Sequence, residues 1–248
     1  VATGVSAVAA AVGGTLVDEG QATVTASGVC YATSANPTTP CTTDGGLTAG
    51  VVFTSSVAGL FPNTRYAARA YASNAFGLSY GRAITFTTAC VPAVTVQNNA
   101  DRGAGSLRQA LIGVCPGGTI DFTAGMSGGT IALESGLVIS KSVTITSSVP
   151  ITLSGGGSVR IFAVNAGVEA TLAGLTLDRG DAADSGGALF NAGALTVTNS
   201  SVRNSTAGNG GGFYNEGVLY VQDSALEGNS ATDPIGGGGA IFNTGVLT

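Results

Sequence analysis

Three segments of this chain align residue for residue: Gly186-Gly187-Ala188-Leu189-Phe190-Asn191-Ala192-Gly193, Gly210-Gly211-Gly212-Phe213-Tyr214-Asn215-Glu216-Gly217 and Gly238-Gly239-Ala240-Ile241-Phe242-Asn243-Thr244-Gly245. Asn191 to Asn215 is 24 residues and Asn215 to Asn243 is 28, the extra residues falling near Asp233-Pro234-Ile235-Gly236, where proline and glycine predict a turn. Between these anchors Leu195 and Val197 match Leu219 and Val221, and Val202 matches Leu226. A period in the twenties built of short alternating strands cannot bury its apolar face within one repeat, so neighbouring repeats must stack as coils. Alternation assigns the faces. Leu189, Leu195, Val197 and Val202 point inward and stack on Phe213, Leu219, Val221 and Leu226, whereas Thr196, Thr198, Tyr220 and Gln222 point outward. Each large inward side chain contributes about 1.5 to 3 kcal/mol when fully buried, before ordering costs are set against it.

Two columns follow from the same alignment. Asn191, Asn215 and Asn243 fall where the chain bends after a strand, and each amide can bond to its counterpart one coil away, which predicts an asparagine ladder in preference to a polar binding row. Phe190, Tyr214 and Phe242 form a parallel aromatic column at a corner or an outer face. An outward row could stack on sugar rings, but packing at a core or corner is the favoured reading.

Upstream coils are less regular: Thr119 to Phe122, Thr130 to Leu133, Leu137 to Ile139, Val143 to Ile145, Ile151 to Leu153, Ile161 to Val164 and Ala170 to Leu177 all read as short strands. No helical pattern separates them, which disfavours a doubly wound fold. Ahead of them, Leu107, Ala110, Leu111 and Val114 recur at helical spacing, so one short amphipathic helix is expected over 106–114, ended by Cys115-Pro116-Gly117-Gly118. This helix is expected to cap the amino end of the solenoid within a capping segment, 93–118; the regular coils are placed at 167–248.

Residues 1–88 follow another rhythm. Ala22-Thr23-Val24-Thr25, Gly28 to Ala32, Val51 to Thr54, Tyr66 to Tyr71 and Ile84 to Thr87 read as strands between turn clusters, the pattern of a small antiparallel sandwich. The stretch Leu60-Phe61-Pro62-Asn63-Thr64-Arg65-Tyr66 has the form of a tyrosine corner, with Tyr66 returning its hydroxyl to upstream backbone. With no Trp in the chain, Tyr31, Phe53, Tyr71 and Phe86 are the expected aromatic core.

Only 9% of the 248 residues are Asp, Glu, Lys or Arg, glycine reaches 40, and the net charge is -5. Such a surface is neutral and hydroxyl-rich and lacks the positive stripe that nucleic acid requires. No run approaches the roughly 18 apolar residues that span a bilayer. Val1 is not an initiator Met, which fits either a removed signal peptide or an excerpt of a longer protein. Cys30, Cys41, Cys90 and Cys115 are even in number and form no Cys-x-x-Cys spacing, so two disulfides are expected, Cys30 to Cys41 and Cys90 to Cys115. The alternative is four buried free thiols.

Two resemblances add to this. Leu60, Pro62, Thr64 and Tyr66, then Ala70-Tyr71-Ala72-Ser73-Asn74-Ala75-Phe76-Gly77, Ser79-Tyr80-Gly81 and Phe86-Thr87-Thr88 look like the last strands of a bacterial fibronectin type III module. That resemblance implies a domain that spaces, binds or presents. Gly103-Ala104-Gly105-Ser106-Leu107-Arg108-Gln109-Ala110-Leu111, Gly118-Thr119-Ile120-Asp121-Phe122, Ala173-Gly174-Leu175-Thr176-Leu177 and the Gly-Gly-x-x-Phe/Tyr-Asn repeats resemble bacterial surface proteins similar to polymorphic outer membrane protein repeats, within the pectin-lyase-like superfold. The fold class expected is therefore all-β: a fibronectin type III-like β-sandwich over 1–88, then a right-handed parallel β-helix over 89–248 with a short amino-terminal capping helix. The resemblance also implies a secreted or cell-surface life on a bacterium, but the superfold holds both enzymes and inert fibres, so activity has to be argued from residues.

The chain has no His, which removes Ser-His-Asp and Cys-His triads and His-containing metal sites; no catalytic residue is assigned. Asp178, Asp181 and Asp184, with Arg179, are the one cluster that could supply oxygen ligands to Ca²⁺, beside the reading as a solvated turn, and no other cofactor is expected. Arg179-Gly180-Asp181 spells an integrin-recognition tripeptide, which chance produces often. Two functions remain in view. The first is a non-enzymatic extracellular scaffold or adhesin whose partners are other copies of itself, in a surface fibre, or surface glycans and proteins. The second is a polysaccharide lyase or hydrolase working from the β-helix flank. Because Thr248 stops in mid-coil, a longer parent chain or stacking on another subunit is expected there.

Overall fold

The computed structural model describes residues 1–234 and 237–248, so Ile235 and Gly236 of the expected insertion turn lie outside the described residues. The chain divides into two compact units, Val1–Val91 and Pro92–Thr248.

The first unit holds β1 (Ala2–Thr3), β2 (Ala9–Thr15), β3 (Ala26–Ala32), β4 (Val52–Ala58), β5 (Arg65–Asn74), β6 (Gly77–Tyr80) and β7 (Ile84–Thr87). One antiparallel sheet runs β1-β2-β4, and the other runs β3-β5-β6 with β7 also pairing with β5. Ala10, Val12 and Val57 from the first sheet meet Val29, Tyr66, Ala68 and Phe86 from the second in one buried cluster. The expected strand at Ala22 to Thr25 is absent: that stretch is turn and coil, and the strand begins at Ala26. Strand β2, by contrast, is one the turn-spacing argument missed, because Gly13-Gly14 reads as a turn. Tyr31 and Phe53 pack against the cluster, but Tyr71 does not belong to it; its hydroxyl donates to Thr42 O at 2.8 Å. Tyr66 is buried and its Oη accepts the Phe61 N–H at 3.0 Å. Cys30 and Cys41 form a disulfide, and Cys90 and Cys115 are disulfide-bonded as well.

The second unit opens with β8 (Val91–Val96) and α1 (Leu107–Gly113). The side chain of Ser106 accepts the Gln109 N–H and caps this helix, whose Leu107 and Ala110 are buried in one cluster with Val96 and Ile120. The helix is not ended by a Cys-Pro-Gly turn as expected. The chain passes directly into β9 (Val114–Phe122), since an extended backbone at Val114 already breaks the helix.

From there each coil carries short parallel strands. After β10 (Gly129–Ala132), one coil supplies β11 (Leu137–Ile139) and the bent β12 (Val143–Ser154). The next supplies β13 (Phe162–Val164), β14 (Glu169–Asp178) and β15 (Asp181–Ser185). The two regular coils are β16 (Leu189–Asn191), β17 (Ala194–Thr198), β18 (Ser201–Arg203) and β19 (Thr206–Asn209), then β20 (Phe213–Asn215), β21 (Val218–Gln222), β22 (Ala225–Glu227) and β23 (Ser230–Ala231). Last come β24 (Ile241–Asn243) and β25 (Val246–Leu247). Pairing is in register from coil to coil: Leu137, Phe162, Leu189, Phe213 and Ile241 form one file, and Ala170, Leu195, Leu219 and Leu247 another. This is a parallel β-helix, and the handedness rule for parallel crossovers makes it right-handed.

Corners recur with the coils. Gly174, Asn199 and Asp223 occupy one left-handed position at φ 71, 49 and 49, and Arg179, Asn204 and Gly228 occupy another at φ 51, 55 and 62. Glycine, asparagine and aspartate tolerate that region best, so at five of these six positions the residue class repeats where the identity does not, Arg179 being the exception. The Gly-Gly pairs have a separate cause. Gly186 and Gly210 are left-handed, while a Cβ on Gly187 would collide with Thr206 O and Gly211 O of the next coil.

Candidate functional site

Leu189, Leu195, Val197 and Val202 are all buried, as are Phe213 and Leu219 above them, so polar function is confined to corners and outer faces. Asn191 and Asn215 are themselves 0% exposed. The Asn191 side chain donates from Nδ2 to Asn215 Oδ1 at 2.7 Å, to Gly193 O and to Val218 O, while its Oδ1 accepts the Gly193 N–H. Asn215 repeats this on Asn243 Oδ1 at 2.6 Å, Gly217 O and Val246 O. Neither amide has left-handed backbone, and neither faces solvent, so they close the turn from inside and offer nothing to a ligand. Two further corner ladders join the coils, one of serines and one of serine with asparagine. Ser200 accepts the Leu175 N–H, and Ser224 accepts the Ser200 N–H. Ser205 accepts the Gly180 N–H, and Asn229 accepts the Ser205 N–H.

The aromatic column is half-buried. Phe190 and Tyr214 stack with centroids 5.5 Å apart, and Tyr214 and Phe242 at 5.3 Å, with planes within 12° of parallel. A sugar ring binds an aromatic ring by its face, and in this file the faces are turned toward each other. At one end the Arg160 guanidinium lies 5.4 Å from the Phe190 centroid. The column is therefore a packing device along the corner.

Asp178, Asp181 and Asp184 are not brought together, and among the described residues no group of three metal-ligating side chains gathers anywhere. The left-handed corner at Arg179 separates them. Asp178 ends β14 and takes Arg203 at 3.1 Å, Arg179 at 3.3 Å and the Asn204 amide at 3.0 Å. Asp184, on β15, pairs with Arg160 at 2.5 Å, and Arg160 also donates to Ser185 O and Gly186 O. Of the three carboxylates expected to offer ligands to Ca²⁺, Asp178 and Asp184 are thus taken by arginines. Arg108 uses the same device earlier, holding Asp101, Ser135 O and Gly136 O. Burial raises the Asp184 carboxyl, but the Ser185 hydrogen bond and the Arg160 charge outweigh it and hold the group below its usual range. Lys141, donating to Ile112 O, is pushed down by desolvation. The Arg-Gly-Asp tripeptide is part of the same corner: Gly180 is buried and its N–H is taken by Ser205.

One outer face does present an open surface. Thr119, Thr144, Thr171, Thr196 and Tyr220 lie in register across five coils, spaced by about 4.8 Å, the ordinary strand separation. Thr144, Thr171, Thr196 and Tyr220 edge a shallow groove of about 370 Å³ that also includes Ser142 and Glu169. Glu169 is the single carboxylate among its lining residues. The outward assignment of Thr196 and Tyr220 contained the signal for this file, but following it upstream needs the register, since the coils there advance by unequal steps.

No family model matches the chain, and no curated protein matches it. Among solved structures it is similar to the Family 28 exopolygalacturonase of Yersinia enterocolitica, at 12% identity and a TM-score of 0.26, with 99% of this chain and 78% of that chain covered. A likeness of that strength carries nothing about activity, and the strand pairing above establishes the parallel coil by itself.

Proposed function

We propose that this chain is a non-enzymatic extracellular or cell-surface scaffold, in which a rigid β-helix and a fibronectin type III-like module present binding surfaces. The observation that carries this reading is how charge is placed. On the solenoid, Asp101, Asp178 and Asp184 are held by arginines, and the open groove has one carboxylate, Glu169. Glycoside cleavage in its usual form needs an acid and a second carboxylate at a set separation. The absence of His removes the commonest general base.

Other observations support the parts of this reading. The Phe61 to Tyr66 hydrogen bond and the two facing antiparallel sheets support the fibronectin type III-like module. Burial of Leu107 and Ala110 against Val96 and Ile120 supports α1 as the cap of the solenoid. Four oxidised cysteines fit an oxidising, extracytoplasmic compartment. Among the described residues no helix is long and apolar enough to cross a membrane.

A polysaccharide-degrading reading has one observation in its favour, the hydroxyl-lined groove beside Glu169. Incubating the full chain with a panel of acidic and neutral glycans, with and without Ca²⁺, decides between the two. No turnover is expected. Robust cleavage that Glu169→Gln abolishes would sink the scaffold reading.

A further inference from the structure

Two free sheet edges of the first unit flank the same opening. Strand β1 pairs only with Ala11 and Val12 of β2, leaving Gly13 to Thr15 without a neighbour on that side, and β6 pairs with β5 alone. Unpaired edges are templates for strand addition unless charge, proline or a covering segment blunts them. Neither β6, Gly-Leu-Ser-Tyr, nor the exposed end of β2, Gly-Gly-Thr, contains a charge or a proline.

Between these edges lies a cleft of about 540 Å³ whose walls include Leu16, Phe53, Tyr71 and Leu78. Ala70 lines it as well, and a Cβ on Gly14 would stand 2.9 Å from the Ala70 methyl. The rim is apolar and wet: Val17 is 87% exposed, Phe76 76% and Leu78 54%. On a surface otherwise rich in hydroxyls, such a rim marks an interaction site. The rim is also held in place. Asn74 donates from Nδ2 to Glu19 O at 2.5 Å and Ala22 O at 3.3 Å, and its Oδ1 accepts the Phe76 N–H, so the loop before β6 is tied to the loop after β2. Among the described residues, the charged ones lining the cleft are Asp18 and Glu19.

We infer that this cleft is a docking site for an extended polypeptide segment of a partner protein. The segment adds a strand to the free edge of β6 and seats an apolar side chain against Leu16, Phe53 and Leu78. Its flanking basic residues face Asp18 and Glu19. Backbone bonds to β6 supply general affinity, the cleft selects the alternate side chain, and the two carboxylates select charge. This partner class goes beyond the scaffold reading and does not depend on whether the solenoid is catalytic.

The test uses the full isotope-labelled chain and three short synthetic peptides built around a central phenylalanine. The first alternates valine and lysine, the second alternates valine and glutamate, and the third is the lysine peptide N-methylated at alternate positions. The lysine peptide is expected to shift the amide signals of Gly77 to Tyr80 and of Leu16 to Glu19. The glutamate peptide should bind at least about tenfold more weakly. N-methylation, which keeps the side chains but blocks ladder bonds, should abolish the shifts. Phe76→Ser with Leu78→Ser, both at exposed positions, should abolish them while leaving the rest of the spectrum in place. No shift at about 1 mM lysine peptide overturns the proposal, as do equal shifts from the glutamate or N-methylated peptide. Equal shifts from the N-methylated peptide would identify the cleft as a site for small apolar groups instead.

Discussion

In the unit Val1–Val91, Tyr66 closes a corner on Phe61, Thr88 Oγ1 accepts the Thr64 N–H and donates to Phe61 O, and Cys30 is bridged to Cys41. Each of these contacts is made once and does not recur at a fixed step. In the unit Pro92–Thr248, Leu189 lies between Phe162 and Phe213, Asn191 bonds to Asn215, and Phe190 stacks on Tyr214, so like groups meet at a fixed step. The difference is one of information. An antiparallel pair brings together residues whose identities need have nothing in common, whereas a solenoid writes its contacts into its period.

The sharpest way to break this contrast is to remove one inward side chain from the column. Phe213→Ala, at a fully buried position, should cost about 3 to 5 kcal/mol. The loss should show as faster hydrogen exchange at Leu189 to Asn191 and Ile241 to Asn243, with Ala67 and Ala68 of the first unit unchanged. If exchange rises equally in both units, the solenoid does not store its stability locally. Next in size is the middle rung of the ladder. Asn215→Ala strips Asn191 Nδ2 of an acceptor and removes three donated bonds, for an expected loss of about 2 to 3 kcal/mol by denaturant unfolding. Asn243→Ala should cost much less, because Asn243 is exposed.

On the other side of the contrast, Tyr66→Phe leaves the Phe61 N–H without its acceptor and should cost about 1 to 2 kcal/mol, confined to the first unit. The smallest effect is expected at Asp184. Its folded carboxyl lies below its unfolded value, so its contribution is present at neutral pH and lost as pH falls through the acid range toward the folded value. The carboxyl is 74% exposed and screened, so Asp184→Asn should barely change stability at neutral pH and should slightly flatten the acid limb of the unfolding curve. A large loss at neutral pH would mean that the Arg160 clamp on Ser185 and Gly186 depends on the carboxylate.

Legibility in the sequence divided along the same line. The inward residues, the asparagine file and the aromatic file could all be read from the period, since each keeps its residue type. The Ser205, Asn229 corner could not, because different side chains do the same bonding there. The Asp178, Asp181 and Asp184 cluster misled for a related reason. Closeness along the chain says nothing once a left-handed corner intervenes, and Asp178 and Asp184 then each face an arginine one coil away. In the first unit the tyrosine corner was legible as a local motif, but β2 was hidden by its glycines and Ala22 to Thr25 suggested a strand where none forms.

By itself the sequence determined that the carboxyl-terminal part is a stack of coils with a fixed set of inward residues, because a period and an alternation are properties of the chain alone. It also determined the absence of histidine chemistry. Only the tertiary structure decided where the aspartates pair, that Asn191 and Asn215 are sealed from solvent, and that one face carries a continuous hydroxyl file. It alone revealed the cleft beside β6. Those features depend on which residues of different coils or sheets arrive at one place, and that is fixed by register, corner geometry and the edges left unpaired.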